Sequence, residues 1–187
     1  MKIIFINPGH SKTDPGAVSA NGVKEADIVA SVGRSVSKHL IDVGYTAPVL
    51  QHDSLLTVTT AANNWPADVF VSIHCNAAEN RLAQGAETWY CSGSAGGEHL
   101  ARCIQAQIVT SVPVNNRGAR MAVPGQNGLY VLTNTNMPAC LVELAFLSND
   151  YDEALLINPE WQSEFSRAIA RGITDYFAEI AYQTKGE

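Results

Sequence analysis

Short apolar runs that end in turn-forming residues recur along the chain and predict the strands of a sheet. The run at 3–6 is closed by Asn-Pro-Gly, and the run at 69–73 lacks polar alternation, which is typical of a strand covered on both faces. Similar runs predict further strands at 45–50, 85–90, 129–132 and 139–144. Because Pro48 cannot donate a backbone hydrogen bond, the strand at 45–50 is predicted to lie at a sheet edge or a bulge.

Apolar residues at helical spacing lie between these runs and predict helices. The first helix carries an apolar stripe from Ile28 to Leu40 and is closed by Gly44. The last helix has Asn158 as its predicted N-cap and Pro159 at its first position. Two other helices are predicted at 56–65 and 97–111.

The order of these elements indicates the fold class. Strands alternate with helices, which favours an α/β fold with a mostly parallel sheet. The segment 113–127 contains prolines and an Asn-Arg-Gly sequence, and we predict an irregular loop there. A chain of 187 residues is long enough for one well-packed domain, so we expect a single domain over 1–187.

Composition and charge narrow the classes of function. The chain is 46% hydrophobic and 16% charged, which is typical of a globular domain, and no apolar stretch is long enough to span a membrane. The N-terminus does not have the pattern of a signal peptide. A net charge of −6 without a basic cluster argues against nucleic acid as a partner. The four cysteines have no C-x2-C spacing and are expected to be buried free thiols.

Two histidines follow predicted strands directly. His10 comes after the strand at 3–6, and His74 comes after the strand at 69–73. The carboxyl ends of strands in an open α/β sheet are where ligands bind, so both imidazoles are expected near one another. Glu25, at the start of the first helix, adds a carboxylate, and two imidazoles with one carboxylate make a three-ligand zinc site with an open fourth position. A lone histidine after a strand is also common as a loop hydrogen-bonding residue.

A series of motifs carries a more specific signal. In chain order they are Asn7-Pro8-Gly9-His10, Asp14-Pro15-Gly16, Gly22-Val23-Lys24-Glu25, the segment 72–76 and the segment 141–149. From about residue 2 to residue 177 the chain resembles the zinc-dependent N-acetylmuramoyl-L-alanine amidases. The resemblance implies a twisted six-stranded sheet flanked by helices and one Zn²⁺ ion held by His10, Glu25 and His74. It also implies hydrolysis of the amide between N-acetylmuramic acid and the L-alanine of the stem peptide in peptidoglycan or muropeptides.

Glu143 interrupts the apolar run at 139–144. A buried charge there would cost several kcal/mol unless the carboxyl is neutral, paired or faces a site. In the family the glutamate at this place is catalytic, and we expect Glu143 to act as general base and then general acid, with Glu87 as the next carboxylate to test. A structural salt bridge is the alternative reading.

Two further residues are candidates for substrate contacts. Asn76 follows His74 as in the family motif and is a candidate to orient a ligand or contact the substrate, although a turn-forming asparagine looks the same in sequence. Arg117 matches a family arginine and could bind a carboxylate of the stem peptide, although a solvated loop arginine looks the same in sequence.

Alternative functions share the same ligand set. Another zinc amide hydrolase, such as a peptidase or a deacetylase, remains open, as does a peptidoglycan-binding module without catalysis. Some members of the family that the chain resembles carry a helical insertion that covers the zinc, and the corresponding stretch 91–97 is too short for such a helix, so we expect an open site that requires no activator. The alternative is that the loop 113–127 folds over the metal. We also expect a monomer. Without a signal peptide, the chain is expected to be a phage or prophage lysin or a domain excised from a secreted enzyme.

Overall fold

The computed structural model describes residues 1–127 and 129–183 and contains one sheet with helices on both faces. Its strands are β1 Ile4–Pro8, β2 Val69–Asn76, β3 Ala86–Cys91, β4 Asn116–Ala122 and β5 Ala139–Phe146. Their order across the sheet is β1-β2-β5-β3-β4. The predicted α/β class with a mostly parallel sheet is confirmed.

The direction of the strands decides which residues meet. β1 and β5 both run parallel to β2, so these three strands finish together at what we call the carboxyl end of the sheet. β3 is antiparallel to β5, and β4 is parallel to β3. In this register Glu143 of β5 lies beside His74 of β2 on one side and beside Glu87 of β3 on the other.

The expected sixth strand is present only as isolated bridges. Residues 45–50 run parallel to β1 through the pairs Ile3↔Thr46 and Ile6↔Val49. The carbonyl of Pro48 accepts a hydrogen bond from the Ile6 amide at 2.9 Å, and the proline nitrogen needs no partner at this outer position. The edge placement of this segment is therefore confirmed, and the sheet has five regular strands in the described residues rather than six.

Two predictions of secondary structure were wrong. The run at 129–132 forms a short helix, Tyr130–Thr133, because an apolar run of that length does not distinguish a strand from a helix. The segment 113–127, predicted as a loop, contains β4. Most of β4 is exposed at the edge of the sheet, so its sequence carries little of the apolar pattern that marks a buried strand.

The helices of the described residues are α1 Glu25–Asp42, α2 Leu55–Asn64, α3 Ala95–Ser111, α4 Tyr130–Thr133, α5 Asp150–Ile157 and α6 Pro159–Gln183. Those predicted for α1, α2, α3 and α6 are confirmed, and Asn158 accepts the Glu160 amide at 2.8 Å as the N-cap of α6. Helix α5 was not predicted, although Asn149 caps it by accepting the amides of Tyr151 and Asp152. Among the described helices, none has the length and apolar character that crossing a membrane requires.

Two buried clusters hold the layers together. Alternate residues of β1 and β2, such as Ile4, Ile6 and Val71, pack under α1, α3 and α6. The intervening residues, such as Phe5 and Phe70, pack under α2 and α4 on the opposite face. The cysteines are free thiols as expected, but only Cys75 and Cys140 are buried, while Cys91 and Cys103 are half-buried. The layered packing leaves the carboxyl end of the sheet accessible as a place for a site.

Candidate active site and metal-binding residues

The three predicted metal ligands converge at the carboxyl end of the sheet. His10 follows β1, His74 lies near the end of β2, and Glu25 is the first residue of α1. Oε2 of Glu25 lies 3.2 Å from Nε2 of His10, and Oε1 of Glu25 lies 3.0 Å from Nδ1 of His74. Donor atoms of all three residues lie within 4.8 Å of one another, so together they could hold a metal ion.

His10 reaches this position through an uncommon backbone conformation. Its φ is 58°, in the left-handed region that residues with a side chain rarely adopt. Such a conformation costs on the order of 1–3 kcal/mol and persists where surrounding contacts impose it, as happens at functional sites. Nδ1 of His10 lies 2.9 Å from Oδ2 of Asp14, a contact that fixes the ring and leaves Nε2 for Glu25.

Glu25 is buried, and its hydrogen bonds favour its charged form. Its carboxylate accepts backbone hydrogen bonds from Ala17 and Cys75, each at 2.9 Å. Burial opposes the charge, but hydrogen bonds from His10 and His74 outweigh it and hold the pKa of this carboxyl well below its usual range. The hydrogen bond to Glu25 raises the pKa of His10 to about 9. The cluster therefore favours a bound positive charge.

Two glycines allow the ligands to approach the backbone. A Cβ atom at Gly9 would lie 2.2 Å from Cε1 of His74, which is far inside van der Waals contact. A Cβ atom at Gly16 would lie 2.6 Å from both Oε2 of Glu25 and Cδ2 of His10, and Gly16 also has a φ of +65°. The Pro-Gly pairs of the sequence motifs therefore make room for the imidazoles and the carboxylate.

Glu143 lies beside this cluster with an unusual environment. Its Oε2 atom is buried and has no hydrogen-bond partner among the described residues. Burial, reinforced by the charges of Glu25 and Glu87, raises the pKa of Glu143 to about 8. A carboxyl that can gain and lose a proton near neutral pH, with one oxygen unpaired, has the properties of a general acid or base.

Glu87 has the opposite environment, because four donors saturate its carboxylate. Oε1 accepts the Asn76 side-chain amide at 3.0 Å and the Trp89 indole at 3.1 Å. Oε2 accepts Nε of Arg117 at 2.7 Å and Nη1 of Arg120 at 3.3 Å. Glu87 is therefore a poor alternative to Glu143 as a base. Asn76 and Arg117 meet at Glu87, and no hydrogen bond of either to a predicted metal ligand is present in the described residues.

Sequence reasoning gave no role to Asp14 or Arg120. Asp14 lies in the second quoted motif, four residues after His10, and that short spacing was the available signal. Arg120 lies on β4, where the sequence was read as a loop. Its contact with Glu87 depends on the pairing of β3 with β4 and could not be read from spacing.

A second group with metal-binding side chains lies elsewhere in the described residues. It comprises His99 and Cys103 on α3 and Glu179 on α6. Nε2 of His99 lies 2.6 Å from Oε2 of Glu179. Because β3 is antiparallel to β5, the start of α3 lies at the opposite end of the sheet from His10 and His74. This group is separate from the candidate active site.

A groove of about 260 Å³ lies beside the candidate active site. Its lining includes His10, His74, Asp14, His52 and Leu55. The side chains of His10 and His74 are 25% and 20% exposed, so a ligand in the groove could contact both imidazoles.

Comparison with known proteins assigns the chain to a family. The family model for N-acetylmuramoyl-L-alanine amidase matches residues 4–175. The chain belongs to this family. The predicted enzyme class, a cell-wall amidase, is therefore confirmed.

The amidase is similar to both characterised and uncharacterised relatives. It is 36% identical over 184 residues to the uncharacterised protein YqiI of Bacillus subtilis, covering 94% of this chain and 85% of the relative. It is 32% identical over 181 residues to the N-acetylmuramoyl-L-alanine amidase LytC of the same organism, covering 93% of this chain but 35% of LytC. A crystal structure of an N-acetylmuramoyl-L-alanine amidase from Clostridium difficile 630 matches 95% of this chain and 97% of that chain, with a TM-score of 0.88 and 34% identity.

Proposed function

We propose that His10, Glu25 and His74 hold one Zn²⁺ ion and that Glu143 is the acid-base group with which this amidase cleaves its substrate. The bond cleaved is the amide between N-acetylmuramic acid and the L-alanine of the stem peptide. The observation that carries this proposal is the placement of an unpaired, buried Glu143 oxygen on the strand next to His74. No ion pair of Glu143 is present in the described residues, which argues against a purely structural salt bridge.

The donor set fits zinc. Two imidazole nitrogens and a carboxylate are a common three-ligand set for catalytic Zn²⁺. With zinc-ligand distances of about 2.0–2.2 Å, neighbouring donors in a tetrahedral site lie roughly 3.3 Å apart. The observed separations of 3.2 Å and 3.0 Å between Glu25 and the two imidazoles are close to that value. The Asp14 contact supplies the outer partner that zinc-binding histidines usually have.

When bound, Zn²⁺ supplies a Lewis acid that makes hydroxide available near neutral pH. Glu143 accepts the proton of the attacking water at Oε2 and then donates a proton to the nitrogen of the departing L-alanine. A positive charge bound by Glu25 and the imidazoles offsets the repulsion that Glu25 exerts on an ionised Glu143. Glu143 can therefore be ionised before the reaction and still be basic enough to take a proton.

The substrate approaches from the open groove. The amidase is proposed to act as a monomer without an activator, and the partial exposure of His10 and His74 supports access to the site without an activator. The short stretch that follows β3 begins at the opposite end of the sheet and is too far away to cover the groove. We propose that the amidase acts on peptidoglycan at the cell wall, as a phage or prophage lysin or as a domain of a secreted enzyme.

Metal analysis and turnover of a purified muropeptide test these assignments. Replacing His10, Glu25 or His74 with alanine should strongly reduce zinc content, because two ligands rarely hold zinc against a chelator. Glu143→Gln should keep zinc but lose turnover by roughly 10²- to 10⁴-fold. Glu79→Gln, which changes an exposed glutamate, is the matched control.

Product analysis distinguishes the proposed reaction from its alternatives. The amidase releases an intact stem peptide with a free L-alanine amine, whereas a peptidase would cut within the peptide and a deacetylase would release acetate. Full zinc in all three ligand variants, near-normal turnover of Glu143→Gln, or either of those other products would contradict the assignment.

A further inference from the structure

A pair of arginines lies beside the candidate active site and shares a single carboxylate. Arg117 and Arg120 are on the edge strand β4, and both donate to Oε2 of Glu87 on the neighbouring strand β3. The Glu87 side chain is 4% exposed, whereas those of Arg117 and Arg120 are 33% and 44% exposed. Two cations with one carboxylate leave a net positive charge at this place, although the chain as a whole carries −6.

The arginines have donors left over. Arg117 uses Nε for Glu87, and its two Nη groups make no hydrogen bond in the described residues. Arg120 uses only Nη1. Because a guanidinium has five N–H donors in a fixed plane, Arg117 can still present two parallel donors to a carboxylate. The exposed donors therefore favour an anionic, planar ligand over a neutral one.

Both guanidinium groups are also held in orientation. Arg117 lies over the ring of Phe146 at 4.8 Å, and Arg120 lies over the ring of Trp89 at 5.2 Å. Glu87 is itself fixed by Asn76 and Trp89 at its other oxygen. Side chains held before binding lose less conformational entropy when a ligand arrives, so this arrangement is preorganised.

The distance between Glu143 and the two arginines suits a substrate that extends away from the amide to be cleaved. Glu87 pairs directly with Glu143, while Phe146 lies three residues farther along β5. The two residues that Arg117 contacts therefore lie at different distances from Glu143. Glu87 is one strand spacing away, and Phe146, at about 3.3 Å per residue, is about 10 Å away. One or two extended peptide residues span a similar distance of roughly 3 to 7 Å.

We propose that Arg117 and Arg120, positioned by Glu87, form a subsite for a free carboxylate of the stem peptide, one or two residues beyond the cleaved amide. This proposal rests on the proposed function and adds a substrate preference to it. The amidase should favour stems in which this carboxylate is free over stems in which it is a carboxamide. An ion-pair cluster that served only to neutralise Glu87 would produce no such preference.

The test compares two synthetic muramoyl peptides that differ only at this carboxyl group, one free and one amidated. Binding is measured by calorimetry on the zinc-loaded Glu143→Gln variant, so that it does not depend on turnover. We expect the free carboxylate to bind about 10- to 100-fold more tightly, since hydrogen bonds between charged groups are the strong ones. Adding Arg117→Gln should remove most of this ratio and leave the affinity for the amidated peptide within about twofold.

Two further variants keep the test interpretable. Arg117→Lys retains the charge but not the two parallel donors, and it should keep only part of the preference. Arg102→Gln, which removes an arginine paired with Glu98 on α3, should keep all of it. Equal affinity of the parent variant for both peptides, or an equal loss of both affinities in Arg117→Gln, would overturn the subsite. Absence of turnover by the wild-type enzyme would instead count against the proposed reaction and leave the binding ratio to decide the subsite.

Discussion

The environment of Glu143 leads to a stability prediction that does not depend on catalysis. In the metal-free protein we expect Glu143→Gln to be more stable than the wild type at neutral and alkaline pH. The reason is that burial, together with the charges of Glu25 and Glu87, raises the pKa of Glu143 to about 8, from about 4.5 in an exposed chain. Glutamine has a similar shape and cannot ionise.

The size and sign of the effect follow from linkage between protonation and folding. Below pH 4.5 the carboxyl is neutral in both the folded and the unfolded state, and the two proteins should have similar stability. Between pH 4.5 and 8 the unfolded wild type ionises while the folded protein stays protonated at Glu143, so the wild type loses stability relative to the variant. The difference should level off above pH 8 at about 3–5 kcal/mol, from 1.36 kcal/mol per pKa unit.

Urea denaturation in the presence of a chelator measures this difference. Unfolding free energies of the two proteins would be compared at unit intervals from pH 5 to pH 9, with Glu79→Gln as a surface control. Titration of His10 and Glu25 is common to both proteins and largely cancels in the difference. A stability difference that stays flat with pH, or that shrinks as pH rises, would show that the charged form of Glu143 is not disfavoured by its surroundings.

Two other predictions concern the support of the metal ligands. Asp14→Asn should weaken zinc binding by about 10- to 100-fold, because Asp14 contacts Nδ1 of His10 and fixes the ring. Competition with a chromophoric chelator would measure the change in affinity. Unchanged affinity would remove Asp14 from the site, and Asp42→Asn is an exposed control. Gly9→Ala should lower zinc content while circular dichroism shows a folded protein, because the added methyl group would overlap the His74 ring. Full zinc occupancy in a folded Gly9→Ala protein would mean that the His74 ring can move without loss of the site.

The sequence predicted features that depend on local pattern and on strand direction. The positions of His10 and His74 followed from two buried runs with a histidine directly after each, and the structure places both at one end of the sheet. The identity of β4 could not be predicted, because Asn116–Ala122 gains its strand conformation from pairing with β3 and buries little apolar surface. The role of Arg120 was hidden for the same reason.

The protonation behaviour of Glu143 could not be predicted from the sequence pattern either. The sequence showed a carboxyl in an apolar run, but its unpaired oxygen and the nearby charges of Glu25 and Glu87 arise only when β2, β5 and β3 lie side by side. In the same way, the four hydrogen bonds that saturate Glu87 come from residues on three different strands. Which carboxylate can act as a base was therefore decided by tertiary packing.

The direction of β1 has a consequence for how this amidase can be combined with other modules. His10 lies at the finishing end of β1, so the start of that strand lies at the far end of the sheet. There Nζ of Lys2 lies 5.4 Å from the centre of the Phe177 ring, which brings the late part of α6 to the same place. Segments joined before β1 or after α6 would leave from the side remote from the groove. Wall-binding modules could thus be added at either end without blocking access of a glycan strand to the catalytic residues.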